Sequence, residues 1–332
     1  MAFRCVFVFF TFKKTAFHVT IAEDLSKRRI FSMSKTLKAT LCCLLGYSIY
    51  GFSFLFSKIG FDIAMPNMLL AVLFLIAFLV LSLFVITGKA KVSVKGKPVK
   101  KLLLMGLVQP CLYFVCEAEG IRLTTASFSG VIIGLVPVAG IILGAVFLKE
   151  KCSAFQVICT VLSVIGVALI TTGGMGEFST SGFILLMISV IATTTFSMLS
   201  RSISGEFSAF ERTYVMTGLG SICFTVIALI ETKCDPQLWI EPMKSGSFWF
   251  CTLYLAIISS VGAFTLINYA LNHLSIGHTL IFSNLTSCLS VVLGILVLNE
   301  SFTAVQLLGI VIIILSVFGV SVYKLKTEKK EN

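Results

Sequence analysis

Three polar side chains recur every fourth residue within one apolar stretch of the sequence, and they are Gln109, Tyr113 and Glu117. On a continuous α-helix this spacing places all three on one face. Charged groups inside an apolar helix are costly and usually face a bundle interior or a water-filled cavity, so we predict that this face lines a substrate cavity. Burial disfavours the charged form of a carboxyl group, which makes Glu117 a candidate for proton coupling. The alternative is that Glu117 lies near the membrane surface, in water.

Two further stripes have helical spacing in other apolar stretches. One is aromatic, with Tyr47, Tyr50 and Phe54, and the other carries hydroxyls at Thr193 and Ser197. A shift of 143 positions places Tyr50 on Thr193 and Phe54 on Ser197. We predict that both stripes line the cavity, and the alternative is that they pack between helices.

The C-terminal part of the chain also contains polar residues that we expect near the predicted cavity. Position 267, which is 150 residues after Glu117, is an isoleucine, but Asn268 follows it directly. His278 and Asn284 lie near the start of a later apolar stretch. We treat Asn268, His278 and Asn284 as further cavity candidates. The alternatives are a solvated His278 at the membrane surface and a helix-to-helix hydrogen bond from Asn284.

The composition is that of a membrane protein. Apolar residues make up 57% of the 332 and charged residues 12%, with a mean hydropathy of +1.03, whereas a soluble chain has about half apolar and about a quarter charged residues. The net charge of +11 comes from short basic runs between apolar stretches. Such runs orient a membrane protein, so we expect no nucleic-acid partner.

The cysteines and histidines do not form a metal-binding pattern. Most of the eleven cysteines fall inside apolar stretches, where cysteine acts as a small apolar side chain. The sequence has no Cys-x-x-Cys spacing and three histidines in all. We therefore predict no metal and no cofactor.

Ten apolar stretches are long enough to cross a bilayer as helices, which takes about 20 residues. We call them spans 1 to 10, and the sequence predicts an all-α membrane protein because lipid leaves backbone polar groups no outside partners. Pro110 lies inside span 3 and is expected to kink it. The spans lie near 37–57, 66–87, 101–121, 126–148, 154–172, 180–200, 212–231, 247–268, 277–298 and 303–323.

The distribution of lysine and arginine fixes the predicted orientation. With the N-terminus inside, the outer side keeps only Lys58, Arg122, Lys233 and Lys244 of the 26 basic residues. Since inner loops are enriched in Lys and Arg, we predict ten spans in the cytoplasmic membrane with both termini cytoplasmic. Arg212 is counted among the charges of the inner side.

The two ends of the chain are expected to lie outside the bundle. We interpret residues 1–33 as a disordered N-terminal extension or a mis-annotated one, since Met33 offers an alternative start. Residues 324–332 read as a charged cytoplasmic tail.

An internal repeat divides the spans into two halves. The stretch that ends at Glu150 recurs 150 positions later, where Leu135, Leu143, Gly144, Leu148 and Glu150 are matched by Leu285, Leu293, Gly294, Leu298 and Glu300. The halves are 36–172 and 178–323, with five spans each. Because five is odd, the halves must lie in opposite orientations, as in secondary transporters whose site is near the midplane between inverted repeats. A duplicated channel or inert scaffold is the alternative.

Span 4 contains two Gly-x-x-x-Gly spacings, Gly130 with Gly134 and Gly140 with Gly144. Small residues at this spacing allow close approach of helices. We expect packing within the bundle, and a homodimer contact is the alternative. Glu150, just after this span, is expected to have a structural role at a helix end.

The repeated stretches resemble a known family. The segments Thr124–Ser127, Leu135–Pro137 and Gly144–Glu150 resemble the EamA domain of the drug/metabolite transporter superfamily, Leu274–Gly277 and Gly294–Glu300 resemble its second copy, and Tyr50–Gly60 resembles its first helix. The resemblance covers roughly 36–325. It implies an alternating-access carrier with its cavity between the halves, often an exporter of amino acids or other small metabolites. Pro137 departs from the symmetry, since Ser287 stands at the matching position.

Together these features predict a secondary transporter that crosses the bilayer with ten helices. We expect it to export a small molecule and to catalyse no reaction. The sequence has no Gly-rich phosphate loop, no Gly-x-Ser-x-Gly and no His-Glu-x-x-His. A membrane-embedded enzyme or a receptor is the alternative class. A phosphate-bearing substrate is disfavoured, because the basic residues nearest the bundle, Lys58, Arg122 and Arg201, all lie at helix ends.

Overall fold

The computed structural model describes residues 34–123, 132–170, 179–298 and 303–331. The predictions made for the extension 1–33, for Gly130 and for Glu300 therefore lie outside the described residues.

The described chain is built from helices joined mostly by short turns. Lipid offers no hydrogen-bond partner to the backbone, so apolar segments satisfy their polar groups internally as helices. The helices are α1 (Lys35–Phe61), α2 (Pro66–Ile86), α3 (Val99–Gly106), α4 (Tyr113–Arg122), α5 (Val136–Leu148), α6 (Ala154–Ile170), α7 (Thr180–Ser202), α8 (Ala209–Glu231), α9 (Pro236–Met243), α10 (Gly246–Leu253), α11 (Phe264–His273), α12 (Ile276–Leu280), α13 (Ser283–Leu298) and α14 (Ala304–Glu331).

Six helical segments among the described residues are long and apolar enough to cross a membrane. They are Lys35–Phe61, Pro66–Ile86, Val99–Glu117, Thr180–Ser202, Ala209–Glu231 and Gly246–His273. Three shorter apolar helices, Val136–Leu148, Ala154–Leu169 and Leu307–Val320, coincide with predicted spans 4, 5 and 10. Large apolar side chains point outward from the bundle, such as Ile86, Ile230 and Phe318. The protein is therefore a multi-pass membrane protein.

Several helix starts are fixed by side chains that satisfy the free N–H groups of the first turn. Ser208 Oγ accepts a hydrogen bond from the Glu211 N–H at 3.2 Å, and Glu211 Oε2 accepts one from the Ser208 N–H at 2.7 Å. This reciprocal pair is a capping box and begins α8. Ser179 caps α7 with a single bond, its side chain accepting from the Gly182 N–H at 3.2 Å.

Two of the predicted spans are interrupted, and a third changes its helix type. Span 3 is broken by a wide turn over Leu107–Leu112, where Gln109 has the extended backbone angles φ −140° and ψ 122°. The expected kink at Pro110 is confirmed, because proline disfavours the helical conformation of the residue before it and removes one donor. In span 8 the residues Tyr254–Ala263 form a π-helix that joins α10 to α11 without a break. Span 9 is divided at 281–282 between α12 and α13.

The helices of the two predicted halves interleave. Helix α1 packs against α11 and α13, whereas α7 packs against α4 and α5. Helix α2 packs against α8, and α6 packs against α14. Each of these pairs joins one helix from 36–172 to one from 178–323, so the central contacts of the bundle lie between the halves.

Glycines on α1 make this close packing possible. A Cβ atom at Gly46 would lie 2.9 Å from Ile267 Cγ1 on α11. At Gly51 it would lie 2.6 Å from Leu289 Cβ on α13. Any larger side chain would push the helices apart, which is the role of small residues in membrane bundles.

The expected packing role of Gly140 and Gly144 is confirmed. A Cβ atom at Gly140 would lie 2.6 Å from Leu280 Cδ1 on α12. One at Gly144 would lie 3.0 Å from Glu150 Oε2. These glycines of α5 therefore pack inside the bundle.

Candidate functional site

A tyrosine and a carboxylate form a hydrogen-bonded pair in the second half of span 3. Tyr113 and Glu117 lie one turn apart on α4, and the Tyr113 hydroxyl donates to Glu117 Oε1 at 2.6 Å. Both side chains are half-buried. Within the described ranges no other group bonds to this carboxylate, since the ion pairs found there are Lys97 with Glu211, Arg201 with Glu150 and Lys244 with Glu241.

Aromatic side chains of α1 and α11 lie beside this pair. The rings of Tyr47 and Tyr50 are 6.1 Å apart at 79°, and those of Tyr50 and Phe264 are 5.5 Å apart at 74°. Tyr113 lies in the same region of the bundle as Tyr50 and Tyr47, and the ring in described contact with Tyr113 is that of Phe114, at 5.1 Å. We call Tyr47, Tyr50, Tyr113 and Glu117 the tyrosine–glutamate cluster. It unites two stripes that the sequence analysis treated separately.

The Tyr50 hydroxyl is buried and has no hydrogen-bond partner among the described residues. Buried polar atoms are nearly always bonded, so an exception calls for an explanation. The neighbouring Tyr47 is held by its backbone, whose carbonyl accepts a hydrogen bond from Thr286 Oγ1 at 3.0 Å. The cluster therefore contains one hydroxyl whose position is fixed by packing and whose bonding capacity is unused.

Gln109 does not continue the face of Tyr113 and Glu117. The expectation of one continuous face was wrong, because the extended backbone at Gln109 interrupts the helical spacing. The side chain is buried instead against α7, where Gln109 Oε1 accepts a hydrogen bond from Thr193 Oγ1 at 3.1 Å. Ser197 bonds back into its own helix, donating to the Thr193 carbonyl at 3.0 Å. Two predicted stripes thus meet at Gln109 and Thr193.

Asn268 is fully buried within a network that joins three helices. Its Oδ1 accepts from Ser200 Oγ at 2.7 Å on α7, and its Nδ2 donates to Thr213 Oγ1 at 3.1 Å on α8. Both the oxygen and the nitrogen of the side-chain amide form hydrogen bonds to protein groups. The described contacts of Asn268 are therefore those of a residue that holds helices together.

The two remaining candidates of span 9 are also buried. His278 is 2% exposed and packs its ring 5.9 Å from that of Phe282, so it is not a solvated surface histidine. Asn284 is 1% exposed, and its Nδ2 donates to Ser163 Oγ at 3.0 Å on α6. This is the helix-to-helix bond that stood as the alternative for Asn284. The side chain of Phe54 lies outside what the structure describes.

Arg212 is a functional candidate that sequence reasoning missed. It was counted only as a charge of the inner side, whereas its side chain is fully buried at the start of α8. Its guanidinium donates to the carbonyl oxygens of Ser200 and Asn268, both at 2.7 Å, and to the side chains of Ser200 and Asn272. The capping pattern Ser208-x-x-Glu211 was the signal in the sequence, because it predicts that the helix begins before Arg212 and therefore includes it.

Glu150 connects the two predicted halves at one end of the bundle. Its Oε2 accepts a hydrogen bond from the Ile276 N–H at 2.8 Å. This N–H begins α12, and a negative charge is favourable at the first turn of a helix. Its Oε1 lies 3.6 Å from Arg201 Nε, and Arg201 in turn donates to the Leu271 carbonyl at 2.9 Å. The expected structural role of Glu150 is thus found at a helix of the other half.

Apolar helices that interleave in pairs around a polar, partly accessible cluster are the architecture of a multi-pass membrane transporter. The particular family is also shown, because the model of the EamA-like transporter family matches residues 37–172 and again residues 180–322. The chain belongs to the EamA-like transporter family, and the resemblance to the drug/metabolite transporter superfamily is confirmed. As in that family, its substrate is a small molecule and its surroundings are lipid.

Individual relatives agree with this assignment. The uncharacterized transporter YcxC of Bacillus subtilis is 30% identical over 297 residues, which is 88% of this chain and 95% of that protein. The WAT1-related protein At3g28070 of Arabidopsis thaliana is 23% identical over 251 residues, covering 66% and 69% of the two chains. A solved crystal structure of another protein has the same fold, with a TM-score of 0.71 and 19% identity over 89% of this chain and 99% of that chain.

Proposed function

We propose that the protein is a secondary carrier that moves small metabolites, such as amino acids or related compounds, out of the cell by alternating access. The observation that carries this proposal is the tyrosine–glutamate cluster. It combines side chains of α1 and α4 of one half, its Tyr50 contacts Phe264 of α11 in the other half, and it contains a carboxylate without a described cationic partner. Such a group at a repeat interface is where a carrier of this architecture binds its substrate.

The packing of the helices supports two inverted five-span halves, 36–172 and 178–323. Span 1 packs against spans 8 and 9, and span 6 packs against spans 3 and 4. Exchanging spans 1–5 with spans 6–10 converts the first set of contacts into the second. The pairs formed by spans 2 and 7 and by spans 5 and 10 are converted into themselves. This exchange pattern is expected of two equivalent halves.

Contacts between the halves occur at both ends of the bundle. At one end Glu150 bonds to the Ile276 N–H at 2.8 Å, and at the other Asn67 Nδ2 donates to Glu231 Oε1 at 2.6 Å. A carrier that opens to one side at a time must break one set of contacts while it keeps the other. The Glu150 end carries the basic loops, so it is the cytoplasmic end in this proposal, and both termini lie on that side of the cytoplasmic membrane.

Substrate counterflow tests the carrier proposal. The purified protein is reconstituted in liposomes loaded with an unlabelled metabolite mixture, and uptake of labelled amino acids is followed without any ion gradient. Transient accumulation above equilibrium is expected for a carrier. A channel would give simple equilibration, and a membrane-embedded enzyme would give chemical turnover of the label, so either result would overturn the proposal.

The metabolites to be labelled come from a release screen. Cells with and without the protein are compared for metabolites that appear in the medium. Release of a defined set of small metabolites only when the protein is present is expected for an exporter. Equal release from both would contradict outward transport.

A further inference from the structure

Two cysteines from different halves of the chain meet inside the bundle. Cys111 lies in the wide turn of span 3, and Cys223 lies on α8, 112 positions later. The Cys111 side chain is in hydrogen-bond contact with the Cys223 side chain. Cys111 Sγ also lies 3.8 Å from the Leu219 carbonyl oxygen, and a regular helix bonds that carbonyl to the N–H of Cys223. The two thiols therefore lie side by side at one turn of α8.

The backbone on both sides of this pair is closely packed. A Cβ atom at Gly220 would lie 2.7 Å from Pro110 Cγ, and one at Gly106 would lie 2.7 Å from Leu219 Cδ1. These two glycines let the wide turn of span 3 rest directly on α8. The pair is therefore held in place by a packed contact between the halves and does not depend on the conformation of an exposed side chain.

The number of ligands restricts what the pair can bind. Within residues 34–123, 132–170, 179–298 and 303–331, no three His, Cys, Asp or Glu side chains come together in a group that could hold a metal ion. Zinc takes four protein ligands in a structural site and three in a catalytic one, so two thiols do not suit it. Two thiols suit a soft acceptor that forms two bonds to sulfur.

The apolar surroundings restrict the charge of the bound group. A Cu(I) ion between two thiolates would leave a net negative charge, and a charge within the membrane is costly. A monosubstituted arsenic(III) oxide, R–As=O, leaves no charge. It forms two As–S bonds with two thiols, the two S–H protons leave with the oxide oxygen as one water molecule, and no atom changes its oxidation state.

The pair can be reached from the lipid. Cys223 is half-buried, whereas Cys111 is buried. Ile222 and Val226, next to Cys223 on α8, point outward and are 65% and 51% exposed. An uncharged, apolar arsenical dissolved in the bilayer therefore meets Cys223 first and then closes its second bond to Cys111.

We infer that Cys111 and Cys223 form a dithiol site that binds monosubstituted trivalent arsenicals and thereby becomes a covalent bridge between the two halves. The bridge joins α8 to the wide turn of span 3, directly before Tyr113 of the tyrosine–glutamate cluster. Binding at this site does not require the protein to be a carrier. In the proposed carrier function the halves move against each other, so the bridge is expected to abolish counterflow.

Mass spectrometry of the full-length protein in nanodiscs tests the site. The probe is phenylarsine oxide, added with an excess of glutathione, which removes arsenic held by a single thiol. The wild type is expected to keep one phenylarsenic group per chain and to release it to the dithiol dimercaptopropanol. Because the second As–S bond closes within one molecule, release by glutathione should need a concentration about 100-fold or more higher than in a variant with one of the two thiols.

Three variants locate the site. Cys111→Ala and Cys223→Ala are each expected to lose the glutathione-resistant adduct. Cys116→Ala, which removes the other cysteine of span 3, is the matched control and should keep it. Thermal unfolding identifies any variant that fails to fold, and Cys111→Ser or Cys223→Ser, which is closer in size to the native residue, then replaces it.

Each result decides the inference. A wild type that keeps no adduct, an undiminished adduct on folded Cys111→Ala or Cys223→Ala, or loss of the adduct from folded Cys116→Ala would overturn it.

Counterflow separates this inference from the carrier proposal. Counterflow of a metabolite by a wild type that keeps no adduct refutes the dithiol site alone. A resistant adduct without counterflow of any metabolite by the untreated protein refutes the carrier function alone. Counterflow that persists in fully bridged protein refutes the expected effect of the bridge on transport.

Discussion

The Glu150 carboxylate accepts a hydrogen bond from the Ile276 backbone N–H, which lies 126 positions further along the chain. The same carboxylate faces Arg201, so one side chain from the first half meets two elements of the second. A charged hydrogen bond of this kind contributes about 1.5–3 kcal/mol. It stabilises whichever conformation keeps this end of the bundle together.

Replacing Glu150 by alanine should open this end more often. Cys152, half-buried and two residues away, is then expected to react several-fold faster with a hydrophilic maleimide. The measurement uses protein in nanodiscs with Cys5 and Cys234 replaced by serine, since Cys234 is exposed. Glu241→Ala, which removes an exposed ion pair, is the control. An unchanged labelling rate in Glu150→Ala would show that this contact does not hold the halves.

Arg212→Met should lower the stability of the whole bundle. The substitution leaves buried carbonyls of Ser200 and Asn268 without their donor, and each such loss costs about 1–3 kcal/mol. Arg212→Lys should recover only part of the loss. Its ammonium group donates hydrogen bonds but cannot reproduce the planar fork of guanidinium donors. Thermal unfolding in detergent measures both, with Lys244→Met, which removes an exposed ion pair, as the control. A wild-type unfolding temperature for Arg212→Met would contradict the role of this network.

Gly51→Ala should destabilise the contact between α1 and α13. The new Cβ atom would lie 2.6 Å from Leu289 Cβ, and overpacking of this kind costs about 1–3 kcal/mol. Gly205→Ala is the matched control, since nothing lies within 4 Å of a Cβ atom there. Unfolding temperatures of the two variants should differ, with the lower value for Gly51→Ala. Equal values would mean that α1 can move away at no cost.

Glu117→Gln should abolish the response of transport to a pH gradient. The glutamine keeps the size of the side chain and cannot exchange a proton, so coupling through this position would be lost. Flux of a transported metabolite is measured in vesicles with and without a pH gradient, and Glu119→Gln serves as the control. Unchanged coupling in Glu117→Gln would rule out Glu117 as the proton-coupling group.

Apolar length predicted the positions of the six long helical segments and of the three shorter apolar helices that the structure describes, because lipid enforces helical backbone in a long apolar stretch. The kink at Pro110 also followed from chemistry that is local in sequence. The helical face of Gln109, Tyr113 and Glu117 did not, since the break that Pro110 causes turns Gln109 away from the other two. The local chemistry of Pro110 predicted the break in the helix. It could not predict the direction of the Gln109 side chain.

Arg212 and Asn268 show a different limit of the sequence. Charge counting placed Arg212 on the inner side and gave no reason to expect a buried side chain. Its burial depends on acceptors from α7 and α11, which are brought to it only by the tertiary fold. Asn268 was singled out as polar within lipid, and its bonds to Ser200 and Thr213 likewise depend on helices remote in sequence.

The position of α1 between α11 and α13 has a consequence for biosynthesis. The hydrogen bond between Thr286 and the Tyr47 carbonyl joins residues 239 positions apart. At about 5–20 residues per second on the ribosome, α1 enters the membrane on the order of 10 to 50 seconds before its final neighbours exist. During that interval its tyrosine face must be shielded by the insertion machinery or by a temporary helix partner. The first of the described helices to be made is thus among the last to reach its native contacts.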